Sequence, residues 1–299
     1  MRGNRVAVLD EAKNRLIVLS GAVLLAALGR QRFYRLTQSG TPILSKISAY
    51  FCKGHVARLI HDFEVQTEGK DKNRISAAAL RLYSDDSLAG YGDAEFSKTD
   101  GKPLRGQQRG LIIPLVEAEI RHFEQKHGRS PKVLEIGVAN GDVLVDIAEH
   151  FPAASFVGVD LSVANAKQKY TKPNVEFVKG YTLDLIEQDA ACMHADIVFG
   201  TSTFCAMVPN EFRRHVAFFA AKGFQSVVIS DPITGGYMPM NDASDISKHM
   251  SHYMWFHNYA GYLRNAGYQV PHFNVRNFVY SWNPRATVAL VVGRRNNSN

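Results

Sequence analysis

Two acids and a run of small residues have the spacing of a nucleoside site. Residues 133–142 read Val-Leu-Glu-Ile-Gly-Val-Ala-Asn-Gly-Asp. Gly137 and Gly141 permit a sharp turn and the close approach of a ligand to the backbone. A second apolar stretch then ends at Asp160. A carboxylate at about this distance from the turn can accept hydrogen bonds from the hydroxyls of a ribose. The pattern predicts a strand, a glycine turn, a helix, a second strand and an acid that together bind a nucleoside.

The spacing of the small residues discriminates between nucleosides. A dinucleotide-binding turn reads G-x-G-x-x-G, whereas Gly137, Ala139 and Gly141 are two residues apart. Glu135, two residues before the first glycine, would repel a pyrophosphate and favours a cationic sulfonium with an ammonium group. The segment resembles motif I of the class I S-adenosylmethionine-dependent methyltransferases, E/D-x-G-x-G-x-G, with Ala139 in place of the middle glycine.

The resemblance implies S-adenosyl-L-methionine as the cofactor and S-adenosyl-L-homocysteine as the product. The family often has an acid after the third strand to hold the adenine amino group. Tyr181 stands there instead, so it would stack on the ring or meet its edge, and Asp184 could supply the acid. The cofactor-binding residues expected at the ends of the first four strands are Glu135, Gly137, Ala139, Gly141, Asp160, Leu161, Gly180, Tyr181 and Thr201.

The elements that must position these residues alternate regularly after Pro131. Strands are predicted at 132–136, 155–159, 175–179, 196–199 and 225–230, and helices at 111–127, 142–150, 163–169, 183–189 and 209–221. One long helix is predicted over 249–266, closed by Gly267. Strand-like runs at 268–280 and 286–293 flank a turn at 282–284, and so short a connection forces an antiparallel pair.

These elements predict an α/β fold with a doubly wound, mostly parallel seven-stranded sheet. The sheet ends in an antiparallel C-terminal hairpin, as in the Rossmann-like methyltransferase fold, and a helical N-terminal region precedes it. The expected domains are a basic helical region over residues 1–82, a lid or linker loop over 83–110, and a class I methyltransferase domain over 111–299.

The positive charge of the chain is concentrated near its N-terminus. The net charge of the 299 residues is +7, and residues 1–60 alone contain ten Lys and Arg against Asp10 and Glu11. The remainder is therefore close to neutral. A nucleic-acid enzyme more often has its positive charge around the active site, so we expect a small-molecule acceptor and no nucleic acid partner.

An apolar segment, residues 16–29, lies within this basic region. A helix of that length spans about 21 Å, less than the roughly 30 Å of a bilayer core. Two interpretations remain: peripheral membrane contact, or packing on the body or a second copy as a homodimer. The expected location is cytoplasmic, with membrane association on the cytoplasmic face as the alternative. The widely spaced Cys52, Cys192 and Cys205 fit a reducing compartment, and the spacing of ligand-type residues predicts no metal site.

Catalytic candidates follow the fourth and fifth strands. Residues 200–204 read Gly-Thr-Ser-Thr-Phe, which differs from the N/D-P-P-Y motif of enzymes that methylate exocyclic amines. Methylation of an alcohol is helped by a base, and Asp231 and His257 are the candidates. The alternatives are an Asp-Pro turn at Asp231 and a non-catalytic helix position for His257. Residues 255–268 resemble a segment of bacterial sugar-type O-methyltransferases.

Three functional hypotheses follow. The first is O-methylation of a small hydroxylated acceptor, sugar-like or lipid-linked. The second is a catalytically silent methyltransferase-fold scaffold, suggested by Ala139 and Tyr181. The third is a nicotinamide-dependent oxidoreductase, which shares the nucleoside-binding architecture but has a different glycine spacing.

Overall fold

The structure is a computed structural model that describes residues 109–234, 246–251, 254–278 and 286–295. The predictions for residues 1–82, and for the loop 83–110 up to residue 108, lie outside the described residues. So does the turn predicted at 282–284.

Nine strands and six α-helices occupy the described ranges. The strands are β1 Lys132–Ile136, β2 Ser155–Asp160, β3 Val175–Lys179, β4 Ile197–Thr201, β5 Ser226–Thr234, β6 Ser247–Ser251, β7 Met254–His257, β8 Tyr268–Phe278 and β9 Ala286–Arg295. The helices are α1 Ile113–His127, α2 Asp142–His150, α3 Ala164–Lys169, α4 Thr182–Glu187, α5 Pro209–Ala221 and α6 Tyr259–Asn265. Short 3-10 turns cover Arg109–Leu111, Ala191–Met193 and Phe204–Ala206.

Seven of these strands form one sheet in the order β3-β2-β1-β4-β5-β9-β8. The first five are parallel to their neighbours, whereas β9 is antiparallel to both β5 and β8. The predicted mostly parallel seven-stranded sheet with its antiparallel C-terminal hairpin is therefore confirmed. The bounds predicted for β1, β3, α2 and α5 coincide with those observed.

The apolar residues of the strands divide between two cores, one on each face of the sheet. Val133 of β1 packs in the cluster formed with α1 and α2. Leu134 and Ile136, which alternate with it, pack in the cluster formed with α5 and α6. Helices on both faces bury both sets of alternating side chains, as expected for a parallel sheet. Glu135 faces the α1 side and is buried there.

The prediction of one long helix over 249–266 is wrong. The first part is a hairpin in which β6 and β7 pair antiparallel, and only α6 is helical. Trp255, Phe256 and His257 form an aromatic run that fits a strand better than a helix. Asn258 then starts α6, because its side chain accepts a hydrogen bond from the backbone N–H of Gly261 at 3.3 Å.

None of the helices within the described ranges has the length and apolarity needed to cross a membrane.

Candidate cofactor site

The turn after β1 contains three residues with left-handed backbone conformation. The φ angles are +75° at Gly137, +49° at Ala139 and +81° at Gly141. Glycine adopts this region without strain, whereas alanine does not. The expected glycine turn is thus present, and Ala139 is its strained member. Gly141 is the N-cap of α2.

Asp160, the last residue of β2, holds this turn. Its Oδ2 accepts a hydrogen bond from the backbone N–H of Ala139 at 2.8 Å, and its Oδ1 accepts one from the backbone N–H of Ser162 at 3.2 Å. An ionised carboxylate has about four acceptor positions. The two backbone N–H groups therefore fix the orientation of the carboxylate at the end of β2.

Glu135 and Asp160 lie on neighbouring parallel strands and on the same face. Glu135 is in register with Gly158, and Asp160 follows Gly158 by two residues. Side chains two apart on a strand point to the same face. Both acids thus project toward the α1 side near the carboxyl edge of the sheet, where ligands of open α/β sheets bind.

The two glycines make room for protein atoms. A Cβ on Gly137 would lie 2.0 Å from Oγ1 of Thr203, and one on Gly141 would lie 2.9 Å from the ring of Phe177. The expectation that these glycines also let a ligand approach stays a prediction. They let the turn pack against the segment after β4 and against β3. Ala139, between them, is exposed.

Two buried hydroxyls lie at the ends of β4 and β5. Thr201 and Ser230 are paired in register and are 9% and 0% exposed. Among the described residues, neither Oγ1 of Thr201 nor Oγ of Ser230 has a hydrogen-bond partner. Thr201 is two residues beyond Phe199, the partner of Glu135 across β1 and β4, so its side chain projects to the same face as Glu135. Buried polar atoms are usually hydrogen-bonded. These two hydroxyls could therefore form hydrogen bonds with a polar group of a ligand.

The end of β3 completes this edge. The backbone N–H of Gly180 donates to the carbonyl of Asp160 at 2.8 Å, which fixes the ends of β2 and β3 together. Leu161 and Tyr181 are half-buried beside them, and Tyr181 is the N-cap of α4. Asp184, also half-buried, lies in the first turn of α4. All nine predicted cofactor residues are thus at the carboxyl ends of β1 to β4.

The sheet order and the turn decide the fold family. Five parallel strands, a final antiparallel strand and the clamped turn at Asp160 occur together. The chain has the class I S-adenosylmethionine-dependent methyltransferase fold. This confirms the fold implied by the resemblance of residues 133–142.

Comparison with known proteins finds methyltransferases among the similar proteins. No protein-family model matches the chain. A tRNA (guanine-N(7)-)-methyltransferase of Pseudomonas fluorescens (strain Pf0-1) is 27% identical over 176 residues, which cover 55% of this chain and 72% of that protein. The same enzyme of Pseudomonas putida (strain W619) is 39% identical over 69 residues, 20% of this chain and 28% of that protein.

Solved structures that are similar to the chain include two from one organism. One is a 1,6-didemethyltoxoflavin-N1-methyltransferase of Burkholderia thailandensis with its substrate and S-adenosylhomocysteine bound, with a TM-score of 0.48, 16% identity and coverage of 74% of this chain and 89% of that chain. The other is an O-methyltransferase family protein of the same organism, with a TM-score of 0.44, 18% identity and coverage of 100% and 99%. These likenesses concern the fold alone.

Asp231 of the methyltransferase is fully buried on the α5 and α6 side of the sheet. Its Oδ1 accepts the backbone N–H of Thr203 at 3.0 Å. Its Oδ2 accepts the backbone N–H of Cys205 and the hydroxyl of Tyr259, both at 2.8 Å. Burial raises the pKa of Asp231 to about 6, against the opposing effect of these hydrogen bonds. The placement does not support a base that faces an acceptor.

His257 is also buried in the methyltransferase. Its ring stacks on Phe212 at 4.6 Å between centroids. Its Nε2 lies 3.1 Å from the carbonyl of Met207, and its Nδ1 lies 2.7 Å from Oγ of Ser247. Nε2–H therefore donates and Nδ1 accepts. Burial lowers the pKa of His257 to about 4. A neutral imidazole with both nitrogens engaged does not support the predicted base, and its position in β7 differs from the helix expected for it.

Sequence reasoning missed two sets of contacts at this site. Thr203, which packs on the turn, has no motif that marks it. The second set surrounds the start of α2, where Oδ1 of Asp142 accepts from Nζ of Lys169 at 2.6 Å and from the hydroxyl of Tyr170 at 2.5 Å. Oδ2 of Asp142 accepts from Nδ2 of Asn140 at 2.7 Å. An acid at the first position of a helix, where the helix dipole favours negative charge, was a usable signal.

Within the described ranges, no group of three or more His, Cys, Asp or Glu side chains is arranged to hold a metal ion.

Proposed function

We propose that this methyltransferase transfers the methyl group of S-adenosyl-L-methionine to an oxygen of a small hydroxylated acceptor, sugar-like or lipid-linked. The observation that carries the proposal is the clamp between Asp160 and Ala139. It fixes a carboxylate at the carboxyl edge of the sheet, where ligands of open α/β sheets bind.

The described residues fit the parts of this cofactor. Asp160 would hold the ribose, and Leu161, Gly180 and Tyr181 would meet the adenine. Glu135, Thr201 and the turn would bind the amino-acid end, and the buried hydroxyl of Thr201, which has no partner among the described residues, supports this assignment. When bound, the cofactor supplies a methyl carbon activated by its sulfonium. The protein's own tasks are then to hold the acceptor in line and to exclude water.

The choice of oxygen rests on the segment after β4 and on the segment that runs from β7 to the start of β8. The residues after β4, Gly200 to Phe204, differ from the N/D-P-P-Y motif associated with amine methylation. Residues 255–268 resemble sugar-type O-methyltransferases. The transfer would form a carbon–oxygen bond as the carbon–sulfur bond of the cofactor breaks, and the proton of the acceptor hydroxyl would pass to water. Asp231 and His257, engaged in the interior, are not positioned to take that proton.

A second candidate is methylation of N7 of guanine in tRNA. The similarity to curated tRNA methyltransferases favours it. A ring nitrogen with a lone pair also needs no base, in keeping with the engaged Asp231 and His257. Against it stands the nearly neutral charge of residues 61–299, since binding to a phosphate backbone depends on Lys and Arg.

The test is a transfer assay with isotope-labelled S-adenosyl-L-methionine and the full chain. The acceptors are a panel of free and lipid-linked sugars, and bulk tRNA in a parallel reaction. The proposal predicts label in a hydroxylated acceptor and none in tRNA. Label only in guanine of tRNA would establish the second candidate instead. Tight cofactor binding with no transfer to any acceptor would indicate a silent scaffold.

A further inference from the structure

We propose that Asp231 is a positioning residue, which keeps the cofactor-binding turn in shape through Thr203. The inference rests on the proposed function, because it concerns the same cofactor site. It gives Asp231 a role that its burial allows, in place of the base expected from the sequence.

The first link joins Asp231 to the segment after β4. The carboxylate accepts the backbone N–H groups of Thr203 and Cys205, at 3.0 and 2.8 Å. Ser202, which precedes them, has a left-handed backbone with φ of +54°. A non-glycine residue in that region costs energy and persists only where its surroundings hold it. Asp231 supplies these hydrogen bonds, so it fixes the path of residues 202–205.

The second link joins Thr203 to the turn after β1. The Thr203 side chain fills the space beside Gly137, where an added Cβ would lie 2.0, 2.6 and 2.8 Å from its Oγ1, Cγ2 and Cβ. Oγ1 of Thr203 also donates to the carbonyl of Thr201 at 3.1 Å, which keeps the side chain against the glycine. A shift of residues 202–205 therefore reaches Gly137 directly.

Gly137 is where the turn begins. Its backbone N–H donates to the carbonyl of Val159 at 2.8 Å, next to Asp160. The turn then passes to Ala139, whose N–H donates to the carboxylate of Asp160. Movement at Gly137 would thus disturb the carboxylate assigned to the ribose, although Asp231 lies on the opposite face of the sheet.

A third link starts at α6. The hydroxyl of Tyr259, the first residue of α6, donates to Oδ2 of Asp231 at 2.8 Å. Tyr259 follows β7 and Asn258, so the hairpin segment and the cofactor turn are connected through one buried carboxylate. Removing the hydroxyl of Tyr259 is therefore a mild way to perturb Asp231, because the backbone N–H groups of Thr203 and Cys205 still donate to its carboxylate.

The experiment measures the dissociation constant of S-adenosylhomocysteine by calorimetry and the melting temperature of each variant. The variants are D231N, Y259F, T203A and the double variant D231N/T203A. Y262F is the matched control, because Tyr262 is a buried tyrosine of the same helix whose hydroxyl bonds to Ser247 at 2.8 Å. The full chain is used throughout.

D231N is expected to weaken binding about tenfold, as for the loss of a hydrogen bond to a charged group. Y259F should weaken binding in the same direction by a smaller factor. The double variant should bind no more weakly than T203A alone, because the effect of Asp231 passes through Thr203. Y262F should lower the melting temperature without changing the dissociation constant.

Wild-type affinity in both Y259F and D231N, with lowered melting temperatures, would overturn the positioning role and leave the proposed function intact. Full additivity of D231N and T203A would also overturn it. If D231N does not fold, Y259F decides by the same criterion. A wild-type protein that does not bind S-adenosylhomocysteine would overturn the proposed function together with this inference.

Discussion

The carboxylate of Asp160 accepts a hydrogen bond from the backbone N–H of Ala139 at 2.8 Å. This hydrogen bond holds the acid at the end of β2 against the middle of the turn after β1, although 21 residues separate them. Any change in the turn also changes the orientation of the carboxylate. The first two predictions concern this coupling.

Replacing Ala139 with glycine should stabilise the protein or leave it unchanged. Ala139 has φ of +49°, which costs an L-residue about 1–2 kcal/mol. Glycine removes that strain but loses about 0.5–1 kcal/mol to chain entropy. The expected gain in unfolding free energy is up to about 1 kcal/mol by urea titration, with the affinity for S-adenosylhomocysteine retained.

The same substitution at Ala217, an exposed position inside α5, is the control for A139G. It should destabilise by about 1 kcal/mol, the usual cost of glycine in a helix. Equal destabilisation by A139G and A217G would contradict a strained turn.

Replacing Gly137 with alanine should abolish cofactor binding and destabilise the protein by more than about 2 kcal/mol. The added Cβ would be strained at φ of +75° and would lie 2.0 Å from Oγ1 of Thr203. Overpacking of this kind typically costs about 1–3 kcal/mol. Calorimetry with S-adenosylhomocysteine and urea titration would measure the two effects.

Gly128 provides the matched control for G137A. It has φ of +64° and nothing within 4 Å of an added Cβ. G128A should therefore show the backbone strain alone, about 1 kcal/mol, and keep cofactor binding. Equal effects of G137A and G128A would show that Thr203 does not press on the turn.

Stability should fall as the pH is lowered from about 6.5 to about 4. Burial lowers the pKa of both His215 and His257 to about 4, so the unfolded chain takes up protons in this range that the folded protein does not. Each histidine makes its full contribution to stability above about pH 6.5, the pKa of histidine in the unfolded chain. That contribution, roughly 3 kcal/mol per histidine, is lost as the pH falls toward 4. The pKa of Asp231 is raised to about 6, so its protonation stabilises the folded protein as the pH falls. This effect opposes that of the histidines, but it comes from one group, whereas two histidines lose stability.

The check is urea titration between pH 7.5 and 4.5 on wild type and H215Q. His215 is fully buried, with Nδ1 2.8 Å from the carbonyl of Glu211 and Nε2 2.8 Å from the hydroxyl of Thr182. H215Q should be less stable at pH 7.5 and should lose less stability on acidification. The same pH dependence in both proteins would rule out this source.

The main sheet and its ligand edge could be predicted from the sequence because both depend on local signals. Residues 133–142 contain the strand, the small-residue turn and the start of α2, and the acid at Asp160 ends the next strand. Parallel strands then bring these ends to one edge without further information.

The β6–β7 hairpin could not be predicted with the same means. Its first strand contains polar and apolar residues that match neither period clearly, and its pairing is a tertiary property. The apolar positions of 254–263 continue into α6, so they suggested one helix. Asn258 was the available signal of a helix start inside that run.

The direction of the Asp231 side chain was the second feature that the sequence analysis did not predict. Asp231 was judged by residue type and by its position after the predicted strand 225–230, whereas β5 extends to Thr234 and includes it. Its place two residues beyond Ile229 puts it on the face of the buried apolar side chains Val227 and Ile229, and strand alternation predicts its burial. For the packing of Thr203 on Gly137, by contrast, the sequence offers no signal, because it depends on the crossing of two distant segments.

The most direct measurement is a calorimetric titration of S-adenosylhomocysteine into the full chain, D160A and E149Q. E149Q removes an exposed carboxylate of α2 that pairs with Lys172 at 2.8 Å, away from the turn. Wild type and E149Q should bind with the same affinity, and D160A should bind at least about a hundredfold more weakly, for two lost hydrogen bonds to a charged group. No binding to wild type, or wild-type affinity in D160A, would contradict an adenosyl site at the edge where Asp160 meets Ala139.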